Sequence, residues 1–157
     1  MGIHKVTDKF EKNFNMPTNR TFTMIKPDAV ADGHAGAIIQ QIEKAGFTII
    51  SIKKIKLSKE QAGQFYAVHK DRPFFESLCN YMCSGLIMPM VLEKENAVSD
   101  FRTFIGSTNP EQAAEGTIRK QFAKSTEANA IHGSDSDENA LIEANFFFSE
   151  KELAQRL

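Results

Sequence analysis

The sequence predicts an α+β fold, an antiparallel four-stranded sheet on a βαββαβ plan with added helices. Three observations lead there. Stretches of alternating apolar residues interleave with stretches whose apolar residues recur every three or four positions, the periods of strand and helix. Glycine and proline stand at the joints between them. The chain has 157 residues, 41% hydrophobic and 25% charged, which suits one soluble domain able to close a core.

In chain order, "RTFTMIK" sets Phe22, Met24 and Lys26 against Thr21, Thr23 and Ile25, as a buried strand would. Pro27 ends that strand, which is expected to leave the Lys26 ammonium at the sheet's edge. "GAIIQQIEKAG" places Ile38, Ile39 and Ile42 at helical spacing, with Gly46 as the stop. "FTIISIKKIKL" alternates as a second strand, and "SKEQAGQFYAVH" opens a helix with a Ser58-x-x-Gln61 capping box. "FFESLCNYMCSG" reads as a further helix ended by Gly85. "LIMPMVLEK" is the third strand, and its Pro89 predicts an edge position or a bulge. "NAVSDFRTFIG" is a helix closed by Gly106; "TNPEQAAEG" is a loop and "TIRKQFA" a short helix or turn. His132 then sits in a turn, and "DENALIEAN" is a helix feeding a last apolar strand, "FFF". This order is the ferredoxin-like plan, which hosts many functions and decides none.

Residues 1–18 read differently. Ile3, Val6, Phe10 and Phe14 give a weak amphipathic signal, so they are taken as an extension ahead of a single domain over 19–157. The net charge of −1 provides no global positive field to draw nucleic acid or anionic lipid. No apolar run reaches membrane-spanning length. Cys79 and Cys83 share a helical face without a zinc-ligand set, so buried free thiols and a cytoplasmic setting are expected.

No phosphate-cradling glycine loop is present. Instead cations stand at element ends: Lys26, Arg102 and Arg119. Each alone is more often a solvated side chain than a site. What changes that balance is the company they keep. "TMIKPDAV", "KDRPFF", "IGSTNP", "EGTIR" and "NAIHGSDS", in this order and spacing, resemble a nucleoside diphosphate kinase from residue 20 to about 155.

The resemblance implies a ferredoxin-like fold and reversible ping-pong transfer of a γ-phosphate from nucleoside triphosphates to nucleoside diphosphates. It implies Mg²⁺ carried by the substrate phosphates, and a homo-oligomer, hexamer or tetramer. Residue by residue, His132 would accept the phosphate through its δ nitrogen. Glu143 would hydrogen-bond the ring, with Ser134 steadying Glu143 and Tyr66 lying beside His132 and Lys26. Lys26, Arg102, Thr108 and Arg119 would hold the phosphates, while Asn129 and Lys26 would contact the ribose. Phe74 would stack on the base, with Leu78 supporting the pocket; Phe75, His34 and His69 take no role. Departures from the family pattern are Ala29 in "KPDA", the proline displaced to 89, and "STEAN" where a glycine often precedes the asparagine by two.

Chemistry supports these assignments. Imidazole with a pKa near 6.5 is roughly three quarters free base at pH 7. A carboxylate can fix the proton on one ring nitrogen and leave the other nucleophilic. The phosphoramidate so formed is reactive enough for transfer in both directions, whereas a serine ester would trap the phosphate. Charge spread over a transferring phosphoryl group calls for preset cations. A flat aromatic face and an aliphatic wall read no base edge, so all four bases are expected as substrates. Two rival readings fare worse. A single-strand RNA reader lacks its aromatic strand motif, and an idle protein of the same fold would not need His132, Lys26 and Arg119 together.

Overall fold

The structure, a computed structural model, describes residues 19–154; the amphipathic segment expected over 1–18 lies outside them. Five strands form: β1 (Arg20–Ile25), β2 (Thr48–Ile52), β3 (Ile55–Lys56), β4 (Leu86–Glu93) and β5 (Ile131–Gly133). All pairs are antiparallel, in the order β2-β4-β1-β5, with β3 also pairing on β4. The helices are α1 (Pro27–Ala31), α2 (Ala35–Lys44), α3 (Lys59–Phe65), α4 (Phe75–Met82), α5 (Ala97–Ile105), α6 (Ile118–Phe122), α7 (Asp137–Phe147) and α8 (Glu150–Leu153). With β3, α3 and α4 as an insertion, the remainder follows the expected βαββαβ course. Among the described residues no helix is long and apolar enough to cross a membrane.

The sheet is covered on both faces. Phe22, Met24, Ile87 and Val91 point to one apolar layer, with Leu78, Met82 and Phe147. Ile25, Met90 and Leu92 point to the other, with Ile38, Ile42, Phe101 and Ile105. Two covered faces explain why β1 is buried at five successive positions instead of alternating with solvent. Local chemistry sets the helix starts. Ser58 and Gln61 form the expected capping box on α3. Ser136 caps α7 by accepting from the Asn139 N–H.

Several expectations are corrected. Phe146 and Phe147 belong to α7, not to a strand. Ala140, Ala144 and Phe147 fall four and three apart and bury one helical face, and Phe147 stacks on Phe22 with ring centroids 5.4 Å apart. The last strand is instead β5, only three residues long, and His132 is its centre rather than a turn residue. The long second strand breaks into β2 and β3. Pro89 lies inside central β4, not at an edge. Its carbonyl accepts from Lys53 N at 3.0 Å, so its nitrogen also faces the break between β2 and β3, where no ladder bond is lost. Cys79 is buried, whereas Cys83 is only partly so.

Candidate active site

β5 pairs with β1 through His132 and Met24, and Thr23 Oγ1 donates to the His132 carbonyl at 2.6 Å. The imidazole packs beside Phe22 and Phe65, with ring centroids 5.8 and 5.7 Å away. Its Nε2 lies 3.0 Å from Glu143 Oε1 on α7. The Ser134 hydroxyl donates to the same carboxylate oxygen at 2.5 Å. A carboxylate only accepts, so the ring proton resides on Nε2 and Nδ1 keeps its lone pair.

The approach to β5 is strained. Ala130 adopts φ 73°, a left-handed conformation costing a residue with a β-carbon about 1–2 kcal/mol. Two bonds hold it there: Lys26 N donates to its carbonyl at 2.8 Å, and its own N–H donates to Asp28 Oδ2 at 3.1 Å. The Tyr81 hydroxyl secures Asp28 in turn. Asp28 and Tyr81 thereby fix the turn that carries Asn129 and His132. Neither residue was expected from the sequence, although a carboxylate directly after "KP" at a helix start was a readable signal.

Two of the three cations are not solvated ends, whereas Arg102 is exposed. Lys26 is 7% exposed and Arg119 8%; Lys26 stands just past the end of β1, with Pro27 opening the next helix, as expected. Burial, then the neighbouring Arg119, pull the Lys26 ammonium down to about 8, with Asp28 and Glu127 opposing. Burial, then Arg102, lower the Arg119 guanidinium to about 10, which leaves it charged at neutral pH. Neither forms an ion pair among the described residues. Arg119 donates to the carbonyls of Gly106 at 2.9 Å and Ile131 at 2.8 Å. Gly106, at φ 90°, is required here: a β-carbon would stand 2.6 Å from Thr117 Oγ1.

Two cavities meet at Thr108. One, of about 470 Å³, is lined by Lys26, Tyr66, Phe74, Leu78, Asn129 and His132, together with His69, Thr126 and Glu127. The other, of about 540 Å³, is lined by Arg102, Arg119, Ser107 and Thr117 among others, and no carboxylate lines it. Phe74 is 47% exposed, with His69 near its ring. Asn129 Nδ2 donates to the Thr108 carbonyl at 3.3 Å, while Asn129 Oδ1 and the Tyr66 hydroxyl are buried without a partner among the described residues. Such atoms destabilise the fold by about 1–3 kcal/mol each unless something enters to satisfy them. Burial raises the Tyr66 phenol well above the ordinary range, so it stays a neutral donor. Every residue expected from the sequence therefore lines one of the two joined cavities or, like Glu143 and Ser134, braces His132. His69, expected to take no role, lines the first cavity, as do Thr126 and Glu127, for which the sequence carried no expectation. A nucleophile, unpaired cations and an exposed aromatic face in joined cavities suit a ligand with phosphates at one end and a ring at the other.

A family model described as nucleoside diphosphate kinase matches residues 19–153. The nucleoside diphosphate kinase of Chlorobium chlorochromatii is 58% identical over 136 residues, 87% of this chain and 97% of that relative. That of Flavobacterium psychrophilum is 57% identical over 137 residues, 87% of this chain and 99% of the relative. Among solved structures, the Aquifex aeolicus nucleoside diphosphate kinase superposes with a TM-score of 0.84 at 42% identity, covering 85% of this chain and 97% of that one. A halophilic nucleoside diphosphate kinase from Halobacterium salinarum, solved in complex with CDP, gives a TM-score of 0.84 at 35% identity, covering 88% and 93%.

Proposed function

Because the chain belongs to the nucleoside diphosphate kinase family, whose enzymes transfer phosphate between nucleotides, we propose that it runs this reaction through His132. Nδ1 attacks the γ-phosphorus of a nucleoside triphosphate. The nitrogen–phosphorus bond forms as the bond to the bridging oxygen breaks, and the diphosphate leaves. A second diphosphate's terminal oxygen then attacks the phosphohistidine, and the electron pair returns to Nδ1. Glu143 holds the Nε2 proton throughout, and Ser134 holds Glu143.

Lys26, Arg102, Thr108 and Arg119 hold the phosphates, Asn129 and Lys26 the ribose, and Phe74 with Leu78 the base. Tyr66 supplies a neutral donor beside His132. The observation that carries this reading is the pairing of an unengaged Nδ1 with two buried, unpaired cations. Only an anion arriving between them satisfies that electrostatics. No carboxylate lines the Arg102–Arg119 cavity, and no cluster of metal-ligating side chains occurs among the described residues, so Mg²⁺ would be carried by the substrate phosphates, whose charge it would neutralise.

The catalytic unit is the single domain 19–157, placed in the cytoplasm, where Cys79 and Cys83 stay reduced. It works as a homo-oligomer, a hexamer or tetramer. The outer edge of β2, unpaired among the described residues, supports pairing between copies. A coupled exchange assay with ATP and a second diphosphate tests the function. Activity in the unmodified protein and its loss in His132→Ala is expected; exchange surviving in His132→Ala removes His132 from the reaction.

A further inference from the structure

Glu127 places a half-buried carboxylate in the cavity that Lys26, Phe74 and His132 also line. Like charges repel, so a carboxylate among phosphate-binding cations works against them unless it faces another part of the ligand. It is held at the base end. The Ser77 hydroxyl lies 2.9 and 3.1 Å from its two oxygens. Ser77 is on α4, whose first turn follows Phe74 and which also carries Leu78. The carboxylate is thus tied to the helix that presents the aromatic face and the aliphatic wall.

Building on the phosphotransfer reading above, we propose that Glu127 reads the edge of the base stacked on Phe74 and favours guanine. A hydroxyl has one proton to give, so Ser77 occupies one of about four acceptor positions on the carboxylate. The rest remain for the ligand. Guanine presents two adjacent donors on its Watson–Crick edge, N1–H and the N2 amino group, which match two carboxylate oxygens as a guanidinium does. Adenine and cytosine each offer one amino donor beside a ring nitrogen that repels the carboxylate. Uracil offers one N–H between two carbonyls. Guanine alone pairs without a clash. Phosphate, ribose and stacking contacts are shared by all bases, so the preference is superimposed on broad acceptance.

Binding of GDP, IDP, ADP and CDP to the unmodified protein, Glu127→Ala and Glu127→Gln is read by titration calorimetry, with exchange from one common triphosphate donor measured alongside. IDP differs from GDP only in lacking the N2 amino group. The unmodified protein should bind GDP about tenfold more tightly than IDP or ADP, and Glu127→Ala should bring GDP and IDP within about twofold. Glu127→Gln should also lose most of the preference, because its amide sets a donor against one of guanine's donors. If all four nucleotides weaken together in Glu127→Ala with their ratios kept, the carboxylate merely braces α4 and the inference is overturned. A GDP-to-IDP ratio near one in the unmodified protein also overturns it. Failure of the phosphotransfer reading is separately visible as no exchange with any nucleotide, since the binding ratios need no turnover.

Discussion

If Lys26 binds the phosphates as proposed, its depressed ammonium should make nucleotide binding sensitive to alkaline pH. Its value falls from 10.5 to about 8 through burial, then through the charge of Arg119. Between those values the unfolded chain holds a proton that the folded chain has released. Stability therefore rises with pH across that window. Below about 8 both states are protonated, and the full penalty is present, about 3 kcal/mol at 1.36 kcal/mol per pH unit. A bound diphosphate supplies the missing counter-charge. Its last pKa is near 6, so it is fully ionised throughout the window. Half of the ammonium remains at pH 8 and roughly a tenth at pH 9, so ADP affinity should fall toward tenfold per unit above 8. Near pH 8, binding should take up about half a proton. Titration calorimetry from pH 7 to 9.5, in two buffers of different ionisation heat, reads both quantities. Lys26→Arg, charged throughout, should flatten the alkaline limb. Flat affinity up to pH 9.5 in the unmodified protein, or an unchanged limb in Lys26→Arg, refutes the reasoning.

Other perturbations follow from the same geometry. Arg119→Ala should lower turnover by about 10²–10³, the effect of removing one oriented transition-state donor, while circular dichroism reports an intact fold; near-normal turnover would remove Arg119 from the site. Phe74→Ala should weaken every nucleotide by about 1–3 kcal/mol of lost stacking, read as a common rise in dissociation constants; unchanged affinities would mean that the base lies elsewhere. Ala130→Gly should be neutral or stabilising by up to about 1 kcal/mol in chemical denaturation, because glycine accepts φ 73° freely, and Ala130→Val should be clearly destabilising.

The parts legible in the sequence were those with local causes. Ser58 and Gln61 announce α3 because a capping box is written in four residues. "HGSDS" and "GTIR" single out His132 and Arg119 as candidates because they stand in an ordered set of short motifs that resembles a known family. What escaped depends on tertiary context. Three residues of β5 are too few to show a period, so a helical phenylalanine run took its place. Pro89 signalled an edge or a bulge; it sits centrally, where the neighbouring strand shifts register between Ile49 and Ser51 and then breaks opposite its missing N–H. Pro27 marks Lys26 as the end of a strand, but the depth to which it is buried follows from the packing around β1 and carries no local signal. Glu127 carries no motif signal of its own. Its place follows from Ser77, fifty residues earlier, which the fold brings alongside.

In the proposed reaction Glu143 fixes the Nε2 proton and leaves Nδ1 to accept the phosphate. The direct measurement incubates the protein with γ-labelled ATP and no acceptor, then locates the phosphorus on the ring by ³¹P–¹⁵N correlation in protein labelled at histidine. One acid-labile, base-stable phosphate on Nδ1 of His132, discharged by GDP, is the expected result. Phosphate on Nε2, or label retained by His132→Ala, contradicts it.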